Sequence, residues 1–284
     1  MPDALWTSDE IVTATGGRLQ GAAFSATGVS IDTRSLEPGD LFVALAGVRD
    51  GHEFVAPALA KGAAGALISQ PVDGSAVVVE DTLRALERLG LAARDRCAAK
   101  RCAVTGSVGK TSVTQAIRAG LTLAGAAHSS VKSYNNHIGV PLTLARMPRG
   151  TERAVFEIGM NHADEITPLS RMVAPDVVVI TTVGPVHTEN FPDGEAGVAK
   201  AKAEIFAGLK PGGTAVLNAD NVWIDLIRTE AERVGARILT FGSGEACDAR
   251  FLDFTLEGRG AVVRARLHGR ELSFPILQTG FHWG

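Results

Sequence analysis

The sequence predicts an α/β protein: a small mixed N-terminal domain, then a central, mainly parallel sheet covered by helices, with a P-loop-like turn. Three observations carry that prediction. From about residue 98 onward, short apolar runs alternate with helix-length amphipathic stretches, the pattern of a parallel sheet with crossover helices. Several of those runs are continuous in Val, Ile and Leu, as strands buried on both faces require. And the stretch RCAVTGSVGKTSVTQAI, residues 101–117, passes from an apolar run through a Gly-rich turn into a helical pattern.

The elements follow in order. GVSIDTRSLEPGDLFVALAG (28–47) alternates apolar runs with turn signals at Glu37-Pro38-Gly39-Asp40 and Gly47. HEFVAPALAKGAAGALI (52–68) reads as a helix ending at Gly62 and leading into a strand at Ala66–Ser69. AVVVED (76–81) reads as a further strand, and the next stretch as a helix with Leu83, Leu86, Leu89 and Leu91 along it. That helix hands over without a low-complexity linker, so the domains are expected at 1–97 and 98–284. In the second, strands are expected at CAVTG, RAVFEIG, DVVVITTVG, GTAVLNAD and ARILTFG. Helices are expected at Ser112–Leu123, Ala163–Met172, Gly194–Leu209 and Val222–Val234. The alternation around His268-Gly269-Arg270 predicts a hairpin.

Composition narrows the function classes. With 284 residues, 45% apolar and 21% charged, the chain is of ordinary globular composition. A net charge of −3, scattered basic residues and only 5% aromatics argue against nucleic acid. The three cysteines, Cys97, Cys102 and Cys247, form no C-x-x-C pair and suit a reducing compartment. The polar first ten residues do not resemble a signal peptide, and no apolar run approaches the ~20 residues that span a bilayer. A cytoplasmic protein without membrane partners, and a monomer, is the expectation.

The chemistry is expected at the carboxyl ends of the strands. The usual nucleotide-loop pattern lacks its first glycine here, since Val104 stands in its place. The physical need is still met. Gly106 and Gly109 let backbone N–H groups curl around an anion, and the helix that follows turns its positive end toward it. Gly106, Ser107, Val108, Gly109, Lys110, Thr111 and Ser112 are therefore the candidate phosphate cradle, with the Lys110 charge for the outer phosphates and the Thr111 hydroxyl for Mg2+. A surface turn with a solvated lysine is the plain alternative. Glu157 ends the next strand as a candidate Mg2+ ligand or a structural carboxylate. His187 follows Gly184-Pro185 on a polar loop. Lys200 and Lys202, two apart on a helix, point to different faces, so one can look inward while the other is solvated. Asn135 and Asn136, beside Tyr134, suit either a helix cap or a phosphate or sugar contact.

Six blocks, TGSVGKTS, NNHIGVPLTL, FEIGMNHADEI, ITTVGPVHTENF, AKAEIFAGL and LNADN, stand in the order and spacing of the Mur ligases. These are ATP-dependent amide-bond-forming enzymes of peptidoglycan precursor synthesis. The chain resembles them over essentially its whole length, and the T-G-x-x-G-K-[ST] form of the loop is characteristic of that family. SIDTRSLEPGDLFVALAGVRDGHEFVAPALAKGA is similar to the family's UDP-binding domain. The resemblance implies a ligase joining a UDP-muramoyl peptide carboxylate to an amine through an acyl phosphate. Within the family, the blocks are most similar to the member that uses UDP-muramoyl tripeptide, D-alanyl-D-alanine and ATP. It further implies that Lys110 holds ATP phosphates, that Thr111 and Glu157 ligate one Mg2+, and that His187 and a carbamylated Lys202 ligate a second. Asp32, Thr33, Arg34, Arg49 and His52 would form the nucleotide-sugar side, with Asn135 and Asn136 also on substrate.

Two departures from the family pattern stand out: Asp164 occupies a position where glycine is expected, and Val113-Thr114-Gln115 follows Ser112 where a lysine is commoner. TGFHWG (279–284) resembles the block introducing a third, amine-binding domain, so two domains of three are expected. A folylpolyglutamate-synthetase-like ligase shares the central domain but lacks the N-terminal one. The absence of an N-K-x-D block excludes a GTPase. A ligase adding the third-position amino acid, and a nucleotide-binding module without turnover, are the remaining alternatives.

Overall fold

The computed structural model describes residues 4–47, 49–130, 134–257 and 260–276. TGFHWG, and Lys132 and Ser133 ahead of Tyr134, lie outside the described residues. The chain falls into two compact units, Met1–Ala99 with Leu121–Ala154, and Lys100–Gly120 with Val155–Gly284.

In the first unit a five-stranded sheet runs in the order Arg18–Gln20, Ala76–Val78, Gly65–Ile68, Asp40–Val43, Gly28–Ser30. Its first pair is antiparallel and the others are parallel. Helix Ser8–Thr15 starts with a capping box, in which Thr7 and Glu10 satisfy each other's backbone N–H groups, and stops where Gly16 turns to φ 72°. Helix Thr82–Asp95 is capped by the Asp81 carboxylate. Helix Gly139–Ala145 is buried at every residue. The sequence reading left that stretch as an apolar run after a turn. Its Leu142 and Ala145 join Trp6, Leu86 and Leu89 in one core, and the Trp6 indole donates to the Ala145 carbonyl at 2.8 Å. This burial is why residues 121–154 belong with the first unit.

In the second unit the sheet runs Arg270–Ile276, Gly260–Leu267, Ala249–Glu257, Arg237–Gly242, Thr214–Asn218, Val177–Ile180, Lys100–Thr105, Arg153–Glu157. From Lys100–Thr105 through to Ala249–Glu257 the successive pairs are parallel, and the last two pairs are antiparallel. All five expected strands and the hairpin are present. The strand Ala249–Glu257 was not foreseen, because its outer residues alternate weakly with charges. The expected helix Gly194–Leu209 tightens midway, with an α-helix at Glu195–Ala203 and a 3-10 turn at Glu204–Gly208. The helix expected at Ala163–Met172 begins three residues later, at Ile166–Val173. The Glu204 carboxylate accepts from the backbone N–H groups of Asp164, Ile166 and Thr167 there.

Asp164 sits at φ 66°, which explains why glycine suits that position; a short polar side chain is among the few others that tolerate it. Ala174, which ends the Ile166–Val173 helix at φ 47°, has no such tolerance. Left-handed geometry costs an L-residue roughly 1–2 kcal/mol, against about 0.5–1 kcal/mol of extra chain entropy for glycine. Ala174→Gly is therefore expected to stabilise the fold by about 0.5–1 kcal/mol. Chemical denaturation measures it, and a lowered midpoint would contradict the strain.

Candidate active site

The strand Lys100–Thr105 lies between Val177–Ile180 on one side and Arg153–Glu157 on the other. The chain leaves it toward one neighbour and later returns to the other, so the loops beyond their carboxyl ends open a crevice. Three such loops meet there.

The Gly-rich loop is fastened to the loop after Val177–Ile180. Ser107 N–H donates to the Thr182 carbonyl at 2.8 Å, and its hydroxyl donates to the Gly184 carbonyl at 3.1 Å. The Thr181 hydroxyl donates to the Val108 carbonyl at 2.6 Å. Nothing in the sequence reading assigned Thr181 and Thr182 this clamp. The available signal was a pair of hydroxyls ending a buried strand. Gly106 is at φ 152° and Gly109 at φ 81°, and a Cβ on Gly106 would overlap the Thr181 hydroxyl. Gly106→Ala is therefore expected to open the loop and weaken nucleotide affinity by at least about tenfold, as one lost charge-assisted hydrogen bond would. It is also expected to destabilise the fold by about 1–3 kcal/mol. Calorimetric nucleotide titration with a parallel melt checks both, and wild-type affinity would refute the clamp.

Lys110 opens the helix Lys110–Ala124, and its ammonium donates to the Gly106 carbonyl at 2.7 Å. From the next position the Thr111 hydroxyl donates to Glu157 Oε2 at 2.9 Å. Glu157 is 1% exposed at the end of its strand. A hydroxyl and a buried carboxylate are hard oxygen donors, and that donor set fits Mg2+.

Lys202 is 3% exposed, whereas Lys200 reaches out to Asp193 at 2.7 Å on the surface. The two lysines thus part company as helical spacing requires. Burial, with the Lys110 charge adding to it, lowers the Lys202 ammonium from its ordinary 10.5 to about 7. Burial also lowers Lys110, against the opposing pull of Glu157. A half-buried ammonium at the start of a helix, with a second, buried amine near enough to feel its charge, favours an anion there.

His187 lies on the loop after Val177–Ile180. It is half-exposed at φ 62°, and its Nδ1 lies 3.9 Å from Glu189 Oε1. Among the described residues no group of three or more His, Cys, Asp or Glu is arranged to hold a metal. Beyond Glu157 or His187, a metal here would draw on hydroxyl, lysine-derived or ligand oxygens.

In the first unit a cavity of about 830 Å³ is lined by Asp32, Thr33, Arg34, Arg49, Phe54 and Tyr134, among others. Its size fits a nucleotide-sized ligand. Arg34 forks onto the Asp32 carboxylate, and the Arg49 guanidinium lies 4.5 Å from the Phe54 ring centroid. His52 is not among the lining residues. Its Nε2 accepts from Ser69 N–H at 2.9 Å, which leaves Nδ1 to donate to Asp50 at 2.6 Å. The imidazole thereby holds together the turn that presents Gly51 to the cavity. Asn136 Oδ1 accepts from the N–H groups of Ile138 and Gly139, the cap among the two roles open to it.

Residues 104–283 match the family model described as the Mur ligase middle domain. UDP-N-acetylmuramoyl-tripeptide–D-alanyl-D-alanine ligase of Escherichia coli K12 is 41% identical over 218 residues, covering 76% of this chain and 48% of that protein. The Bacillus subtilis ligase of the same name is 37% identical over 261 residues, covering 90% of this chain and 55% of that protein. A crystal structure of MurF from Acinetobacter baumannii superposes with a TM-score of 0.86 at 31% identity, covering 99% of this chain and 62% of that one. The chain spans about half the length of the curated relatives it matches.

Proposed function

This chain belongs to the Mur ligase family, and on that premise we propose that it joins D-alanyl-D-alanine to UDP-N-acetylmuramoyl tripeptide at the expense of ATP. The observation that carries the reading is the half-buried Lys110 at the start of its helix, close enough to the buried Lys202 to lower it, with Thr111 at the next position paired to the buried Glu157. The reaction brings together two anions, the peptide carboxylate and the γ-phosphate. A carboxylate oxygen attacks the γ-phosphorus as its bond to the ADP oxygen breaks. The amine then attacks the acyl carbon, the bond to phosphate breaks, and the nitrogen loses its surplus proton. Positioning and charge compensation are what the protein must supply.

In this reading, the second unit, within the expected 98–284, is the ATP-binding domain, and the first unit, the expected 1–97 together with the 121–154 segment, is the UDP-muramoyl-peptide domain. Gly106 to Ser112 cradle the phosphates, and Lys110 offsets charge on the transferred group. Thr111 and Glu157 would hold one Mg2+, and His187 with a carbamylated Lys202 a second. Bound there, Mg2+ would draw negative charge off the phosphoryl oxygens. Asp32, Thr33, Arg34 and Arg49 would receive the nucleotide-sugar, with His52 and Asn136 bracing the segments around it. A cytoplasmic setting, where ATP is available, goes with this substrate class. The test is phosphate release by the natural full-length polypeptide. Release that requires both UDP-muramoyl tripeptide and D-alanyl-D-alanine supports the reading, and release indifferent to either one overturns it.

A pH dependence follows from the position of Lys202. Only a neutral amine adds CO2, and a pKa of about 7 leaves the side chain neutral above that pH. Carbamate is therefore expected to accumulate as pH rises through about 7 and to fade below it. A carbonyl signal from 13C-bicarbonate, lost in Lys202→Ala, measures this, and a signal constant from pH 6 to 8 would contradict it.

A further inference from the structure

Every residue lining the cavity in the first unit comes from residues 31–54 except one, Tyr134, contributed by the 121–154 segment. The placement of Tyr134 is unusually fixed. A Cβ on Gly139 would come within 2.5–2.8 Å of Tyr134 backbone and Cβ atoms, so the chain folds back tightly on itself there. The Asn136 cap locks the same turn at 2.9–3.1 Å. The Arg146 guanidinium lies over the tyrosine ring, 5.8 Å from its centroid, and is anchored by its Nε to the Val29 carbonyl at 2.6 Å. The tyrosine thus has a cation against its ring and a cavity beside it. That cavity has an apolar lining in Ile31, Phe42 and Leu45, and cations in Arg34 and Arg49. An aromatic ring in the lining, with apolar residues, Arg49 and the Asp32-paired Arg34 around it, suits a ligand with a planar base at one end and phosphates at the other.

We propose that Tyr134 is the wall on which the uracil of the nucleotide-sugar stacks, so that the pocket is completed by the 121–154 segment rather than by residues 1–97 alone. The inference rests on the nucleotide-sugar reading of this cavity. Its role is that of a specificity residue: it selects a planar base and takes no part in bond making.

The experiment is calorimetric titration of the full-length protein, saturated with ATP to occupy the Gly-rich loop, with UDP and with 5,6-dihydro-UDP, whose base is puckered. The unaltered protein is expected to prefer UDP. Tyr134→Leu is expected to weaken UDP by about tenfold and to erase the preference over the puckered analogue. Tyr134→Phe, which keeps the ring, stays within about threefold of the parent. ATP affinity and the melting curve serve as controls for folding. A leucine variant that keeps UDP affinity and the preference for a planar base overturns the proposal. So does a phenylalanine variant as weak as leucine, because the hydroxyl and not the ring would then be responsible. If the unaltered protein binds no UDP, the nucleotide-sugar reading itself fails and this inference falls with it.

Discussion

In the natural full-length polypeptide, on the proposed function, Lys110→Ala is expected to leave a folded protein that has lost turnover. Among the described residues the ammonium donates to the Gly106 carbonyl of its own loop, at 2.7 Å, so little of the fold depends on it. In the proposed role it acts electrostatically, from a partly desolvated position that lowers its own pKa. Losing one charge-assisted contact costs about 1.5–3 kcal/mol of binding, which is roughly a tenfold to hundredfold loss of nucleotide affinity. The cost to catalysis is larger, because charge builds on the phosphoryl group in the transition state. Removing one such donor typically lowers turnover by about 100- to 1,000-fold. A second consequence separates this role from a merely structural one. The Lys110 charge helps to lower Lys202, so its removal is expected to move the Lys202 pKa upward from about 7. Nucleotide titration, steady-state turnover and a thermal melt together decide the matter. Unchanged affinity with unchanged turnover would end the assignment.

Lys202→Ala is expected to cost as much activity while the protein stays folded. As an ammonium, this side chain would repel both a metal and Lys110. As a carbamate it presents two oxygens and a negative charge, which Mg2+ favours. The buried site at 3% exposure supplies the neutral amine that carbamate formation needs. If the carbamate forms, truncation removes its oxygens, so formate or acetate is expected to restore part of the turnover. No such rescue is expected for Lys110→Ala, whose missing group is a cation. A fully active Lys202→Ala enzyme would rule out the carbamate. An inactive one without rescue would point to packing instead. Lys200, paired with Asp193 at the surface, is expected to tolerate the same change.

Much of this architecture was legible in the chain because its causes are local. Continuous Val/Ile/Leu runs mark strands covered on both faces, and those at Val177–Ile180 and Thr214–Asn218 are where they were expected. Gly106 and Gly109 mark a loop whose backbone angles other residues resist. The two-residue offset of Lys200 and Lys202 on a helix already separates their directions. The departure at Asp164 is local too, a left-handed position that glycine fills most easily.

What the chain could not disclose depends on partners distant in sequence. Which of the two lysines would be buried is decided by what packs over the helix Glu195–Ala203, and the depressed pKa follows from that burial and from Lys110, more than ninety positions away. Helix Gly139–Ala145 is short and apolar all round, so its periodicity says little; burial against a core that includes Trp6 defines it. Tyr134 reads as an ordinary loop aromatic until the fold returns it to residues 31–54. Periodicity and turn chemistry act over a few residues and survive in a linear reading. Desolvation and pocket closure are sums over neighbours that only the folded chain brings together.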